Sequence, residues 1–231
     1  MKTFYQILAN TLLANVTNMT VWFAMIFFIY LETHSVTATS VVSGIYLVAV
    51  AVSGIWFGSL VDHNKKKNVM LLSGFVSLII YSIGFVVYLS VPAETWKDAT
   101  SPTLWMFVPL LLLGVIAGNL RGIALPTLVT ILIPEDSRDK ANGLVGTTTG
   151  IIFLITSAIS GFLVAHSGMY LVLMLAMVVM TLSIVHLFAM NIPEKEIVHL
   201  EGQPPKVDLR GTFAVVAAIP GLIALIFFST F

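Results

Sequence analysis

The sequence predicts an all-α, polytopic membrane protein, and three observations carry that expectation. Of 231 residues, 58% are hydrophobic and 10% are charged, whereas a soluble domain carries about a quarter charged residues. The mean hydropathy is +1.01. Apolar runs of bilayer-crossing length recur along the chain, and the short stretches between them hold almost every charge. Helices are the default for such runs, because lipid offers no partner to an unpaired backbone group. The alternation in ten-residue pieces that marks a membrane barrel is not visible.

A hydrocarbon core of about 30 Å takes about 20 residues to cross as a helix. Seven runs reach that length: 5–31, 38–61, 68–91, 103–133, 141–165, 168–191 and 211–231. The first follows Met1-Lys2-Thr3 and is too long for the core of a signal peptide. If the runs alternate across the membrane, Lys2, Lys65, Lys66, Lys67, Arg138, Lys140, Lys195, Lys206 and Arg210 share one side and Lys97 alone takes the other. The positive-inside rule then makes the N-terminus cytoplasmic. The chain therefore divides into a six-helix bundle over 1–191, a cytoplasmic linker over 192–210 marked by Pro193, Pro204 and Pro205, and a seventh helix over 211–231. That last run stops at Phe231 without a polar flank, so the chain reads as the start of something longer.

Two helix ends match: Gly58-Ser59-Leu60-Val61 closes the second run and Gly161-Phe162-Leu163-Val164 the fifth. One is expected inside and the other outside. Runs 1–3 and 4–6 would then be repeats of opposite orientation, although glycine and Leu-Val are common enough here for coincidence.

There are no cysteines, so disulfides, cysteine-ligated zinc and cysteine nucleophiles are excluded. Net charge is zero, and no nucleic-acid partner is expected. Arg121 is the one basic residue deep in a run. It lies 13 residues before Pro134, about 20 Å from the cytoplasmic end. A mid-membrane Arg costs about 2.5–3.5 kcal/mol on insertion scales and faces the bundle interior or water. Two roles stay open for it: contact with substrate or a proton relay, and hydrogen bonding that holds helices together. Gly114, Gly118 and Gly122 run beside it at four-residue spacing and allow close packing. In the first run Thr11, Asn15, Asn18 and Trp22 form one polar stripe. Arg121, Asn15 and Asn18 are expected to look into one water-accessible space. No Asp or Glu lies within a run, since Glu32 and Asp62 sit at run ends.

The loop after the second run reads Gly58-Ser59-Leu60-Val61-Asp62-His63-Asn64-Lys65-Lys66-Lys67. It resembles the signature of the major facilitator superfamily, Gly-x-Leu-Ala-Asp-Arg-x-Gly-Arg-Lys, at the same place between helices 2 and 3. Gly58, Leu60, Asp62, Lys66 and Lys67 match. His63 stands for the family's Arg and Lys65 for its Gly. The resemblance implies that Gly58 permits close packing while Asp62, Lys66 and Lys67 form a cytoplasmic charge clamp that works as a gate. Three lysines could alternatively do no more than enforce orientation. The stretch Leu125-Pro126 through Pro134-Glu135-Asp136 to Ala141-Asn142-Gly143-Leu144 is similar to the drug-efflux branch related to macrolide and siderophore exporters. That branch often carries a Gly-Pro pair in helix 5, where Thr156-Ser157 stand here. A ridge of small residues, Gly146, Gly150, Ser157 and Gly161, remains and reads as a helix-packing face.

The resemblance implies the six-helix N-terminal half of a major facilitator fold, built as 3+3 inverted repeats, plus helix 7 of a second half. It implies a secondary active transporter working by alternating access, with helices 1, 2, 4 and 5 around a cavity and Asn15, Asn18, Trp22 and Arg121 as its candidate residues. Its partners would be a small amphipathic substrate to be exported, the lipid bilayer of the plasma membrane and a coupling proton or ion. The full-length protein is expected to be a monomer, with no cofactor, no bound metal and no covalent chemistry. An uptake carrier of the same fold and a non-transporting membrane protein are the alternatives. A retinal protein is set aside because 211–231 has no lysine, and a hydrolase because no catalytic grouping lies at depth.

Overall fold

The computed structural model describes residues 2–194 and positions 216, 218, 219, 221, 222 and 224. Six long helices follow one another: α1 Lys2–Thr33, α2 Val36–His63, α3 Lys66–Ser90, α4 Pro102–Leu132, α5 Arg138–Ser167 and α6 Met169–Ala189. No strand occurs among the described residues. All six are long and apolar enough to cross a membrane. Their ends fall within a few residues of the first six apolar runs. Toward the C-terminus Val216, Ala218, Leu222 and Ala224 are helical and Gly221 has φ +82°. Most of the expected linker 192–210 and of the seventh run 211–231 lies outside the described residues.

Local chemistry sets the boundaries. Ser35 caps α2 by accepting the Ala38 backbone N–H at 3.1 Å, which satisfies one of the donors a helix start leaves open. Pro102 opens α4, where its missing N–H costs nothing. Between α3 and α4 the chain makes a 3-10 turn, Ala93–Lys97. Its Trp96 is 3% exposed and packs on Phe107, Phe28 and Tyr88 at 4.9, 5.8 and 5.8 Å between ring centroids. The polar rim of that turn holds the Lys97–Glu94 ion pair at 2.8 Å, which raises the Lys97 pKa above its ordinary value. The turn between α5 and α6 requires glycine: Gly168 has φ +57°, and a Cβ there would run into the Tyr88 hydroxyl.

The helices are unequally buried. In the most apolar stretch of each, 50% of α4 and 44% of α1 are buried, against 22% of α5 and 6% of α2. Helix α4 reaches the centre because small residues let its neighbours approach. A Cβ on Gly114 would sit 2.6 Å from Tyr81, one on Gly84 2.6 Å from Leu111, and one on Gly118 would overlap the Asn18 amide. Gly122, the third glycine beside Arg121, meets nothing within 4 Å among the described residues. On the α3 side Ser73 and Ser77 donate to the α4 carbonyls of Ala117 and Gly114 at 2.7 and 2.8 Å.

The expected packing ridge of α5 is corrected. Among the described residues Gly146 and Gly150 meet nothing within 4 Å of a Cβ position, whereas Gly161 meets the Phe27 ring. The buried face is instead Ile152, Thr156, Ser160 and Val164, with Ser160 Oγ donating to Thr20 O at 3.1 Å. The Ser160 hydroxyl thus hydrogen-bonds across the interface, while Thr156 Oγ1 donates within α5 to Ile152 O.

Candidate functional site

Two polar clusters share α4. The first centres on Asn18, which is 3% exposed. Its Nδ2 donates to Val115 O at 3.0 Å and to Asn119 Oδ1 at 3.2 Å, and its Oδ1 accepts the Tyr81 hydroxyl at 2.8 Å. Asn119 Nδ2 reaches on to the Tyr46 hydroxyl at 3.5 Å. The Tyr46 ring stacks on Trp22 with centroids 3.9 Å apart. The chain of contacts thus runs from the closed seam of α3 and α4 outward to α2. Asn119, Tyr46, Trp22 and Asn15 are all half-buried, and Gly122 beside them is open. This is a polar and aromatic face on the flank of the bundle beside α2, the least buried of the six helices in its apolar stretch.

The second cluster centres on Arg121, which is 1% exposed. Its Nη1 donates to Asn10 Oδ1 at 2.8 Å and to Ser183 Oγ at 3.1 Å. Asn10 Nδ2 donates to Ser183 O at 2.7 Å and lies 3.1 Å from His186 Nδ1. A Cβ on Gly74 would stand 2.7 Å from Nη2. The guanidinium therefore faces α1, α3 and α6. Its expected place in one water-accessible space with Asn15 and Asn18 is not what the structure has. Asn119 and Arg121 are two residues apart, which at 100° per residue turns them to opposite sides of α4.

The gate loop has its own geometry. Glu194, just past α6, accepts the backbone N–H groups of Lys66 and Lys67 at 2.5 and 2.9 Å. A carboxylate at the start of α3 meets both the open N–H groups and the positive end of the helix dipole. In return Lys67 Nζ donates to carbonyls at the end of α6, Phe188 O at 3.1 Å and the O of Met190, the residue that caps the helix. Lys66 is 8% exposed. Asp62 is exposed at the end of α2, and among the described residues no ion pair joins it to either lysine. Among the described residues Gly58 meets nothing within 4 Å of its Cβ position.

Sequence reasoning missed Asn10, Ser183, Tyr46, Asn119 and Glu194. Asn119 carried a usable signal, a polar residue one place from Gly118 on the same glycine-bearing helix. Glu194 carried none, since its partners are 127 and 128 residues away. A groove of about 190 Å³ between α1, α5 and α6 is lined by Leu13, Val16, Ile159 and other apolar side chains together with Thr17 and Thr20, and it shares no residue with either cluster.

The model of the Major Facilitator Superfamily matches residues 7–231. No curated protein and no solved structure matches the chain.

Proposed function

The chain belongs to the major facilitator superfamily, whose members are transporters rather than enzymes, and from that premise we propose a secondary carrier that exports amphipathic small molecules by alternating access. The observation that carries this reading is the flank formed by Asn15, Trp22, Tyr46 and Asn119. It offers amide and hydroxyl groups beside a stacked aromatic pair, which is what a ligand with a polar head and a flat apolar body requires. Helix α2, 6% buried in its apolar stretch, leaves this flank open to a facing wall. The export direction rests on the likeness of the loop between α4 and α5 to macrolide and siderophore exporters.

Asp62 and Lys66 are the gate elements in this proposal. The cytoplasmic side is that of Lys66, the plasma membrane is the location, and a proton or ion gradient is the driving force. Lys97→Cys should react with an impermeant thiol reagent in intact cells, and a cysteine at the exposed Lys65, on the Lys66 side, only after the cells are opened.

The functional test is ethidium efflux from preloaded cells producing the full-length protein. Efflux above the empty-vector rate is expected, falling about tenfold in Trp22→Ala and Asn119→Ala at equal expression. Equal efflux in wild type and both variants would remove this flank as the substrate face.

A further inference from the structure

The orientation of the Asn10 amide is fixed by two partners that leave it no choice. A guanidinium only donates and a backbone carbonyl only accepts. Arg121 Nη1 lies 2.8 Å from Asn10 Oδ1, and Ser183 O lies 2.7 Å from Asn10 Nδ2. The amide nitrogen has a second N–H to give, and His186 Nδ1 stands 3.1 Å from it. That ring nitrogen must therefore accept. His186 is then neutral with its proton on Nε2, because an imidazolium carries a proton on both nitrogens.

His186 meets the outside of the bundle where Arg121 does not. Its side chain is exposed and stands three residues before the end of α6 at Ala189, about 5 Å along the axis. Two residues on, the Lys67 ammonium donates to Phe188 O, so a charged group already sits near this level. Asn10 and Ser183 are fully buried. Helices α1, α3 and α5 pack against α6. The titratable groups they carry at this end are Lys2 and Tyr5 on α1, Lys66 and Lys67 on α3, and Arg138, Asp139 and Lys140 on α5, with Glu194 just past α6 and Arg121 reaching in from α4. Among the described residues no ion pair involves the ring, and its one hydrogen bond is with Asn10. The charge that shares this network is Arg121, of the same sign as an imidazolium.

We infer that His186 is a proton-binding site and a pH-sensitive switch on the joint between α1 and α6. A proton on Nδ1 and the hydrogen bond from Asn10 exclude each other, since two donors would then face. Turning the amide over would take Oδ1 from Arg121 and the N–H from Ser183 O, so the ring leaves instead. Asn10 then holds α6 through Ser183 O alone. The link is complete at alkaline pH and is lost as pH falls through the histidine range, about 8 to 5. The switch is separate from the proposed substrate face and does not rest on it.

The test uses the full-length protein in detergent, with its histidines labelled with nitrogen-15. The His186 signals are those missing from His186→Gln. At pH 8 they should show a bare Nδ1 and a protonated Nε2; an Nδ1–H tautomer would overturn the proposal. The consequence is read at Ile7, which is fully buried on α1 and shares a core cluster with Leu187. Ile7→Cys, in a chain without other cysteines, is labelled with a maleimide at pH 8 and pH 5.5, each rate divided by that of the denatured protein at the same pH. The normalised rate should rise about two- to tenfold at pH 5.5, the worth of one hydrogen bond. His186→Gln, whose Oε1 accepts the same N–H without titrating, should keep the low rate at both pH values. His186→Lys, a donor at both, should show the high rate at both. Should Ile7→Cys fail to fold, the side-chain amide resonance of Asn10 decides, and it should move with the same pH midpoint as the His186 ring. Equal normalised rates at the two pH values, a rise that survives His186→Gln, or an Asn10 resonance that does not follow the ring would overturn the switch.

Discussion

The two polar clusters of α4 are built from the same kinds of side chain and serve opposite ends. Around Arg121 every neighbour closes in: Asn10 from α1, Gly74 from α3 and Ser183 from α6, with 1% of the residue exposed. Around Asn18 the contacts begin in a closed seam at Tyr81 and end on a half-buried surface at Tyr46 and Trp22. Polarity at membrane depth therefore does not by itself mark a transport pathway. What separates the clusters is rotation about α4, since two residues are enough to turn a side chain from the outer flank to the bundle interior.

The comparison is broken most directly by removing the closed cluster's centre. Arg121→Leu leaves the Asn10 and Ser183 groups buried without their donor, and unsatisfied buried groups cost about 1–3 kcal/mol each. The variant should lose about 3 kcal/mol, seen as a Tm lower by roughly 6–12 °C for a chain of this size. Asn119→Ala, on the open flank, should change Tm by less than about 2 °C and act on transport instead. Equal destabilisation by the two would erase the distinction.

Next in size is the contact between α1 and α4 in the Asn18 cluster. Gly118→Ala pushes a methyl group into the Asn18 amide, and overpacking of this kind costs about 1–3 kcal/mol. It should displace α1 from α4 and weaken the Tyr81–Asn18 bond. Gly122→Ala, four residues on and facing open space, should be neutral in the same melting assay. A neutral Gly118→Ala would mean that the seam has slack the distances do not show.

The smallest effect concerns the cytoplasmic joint. Glu194→Gln keeps the shape of the cap on α3 and removes its charge, so a loss of about 0.3–1 kcal/mol is expected from the helix-end interaction. Deuterium exchange at the Lys66 and Lys67 amides should speed up while exchange in α4 stays unchanged. Unaltered exchange at 66 and 67 would mean the cap does not hold α3 in solution.

Much of this architecture was legible in the sequence, and the parts that were not fail for identifiable reasons. Six helices could be read to within a few residues, because an apolar run bounded by charges leaves the chain no other way to cross lipid. The loop motif at Gly58–Lys67 gave the family. Arg121 could be read as facing the interior from its depth alone, but not which interior, because its partners Asn10 and Ser183 are 111 and 62 positions away. The glycine ridge of α5 misled for a related reason. Four-residue spacing shows that Gly146 and Gly150 share a face and says nothing of whether a neighbour lies against it. Thr156 and Ser160 pack there instead. Trp96 escaped notice because a loop has no periodicity to announce a buried side chain.

The central claim is that water reaches the flank of Asn15 and Asn119 and does not reach the Arg121 cluster. The chain has no cysteine, so single thiols can be introduced against a clean background. Asn119→Cys and Ser183→Cys should be treated with a water-soluble maleimide in native membranes and again after denaturation in detergent and urea. The account predicts rapid labelling of Asn119→Cys in native membranes and labelling of Ser183→Cys only after denaturation. Equal native labelling of the two, or an Asn119→Cys thiol that reacts only when unfolded, would contradict it.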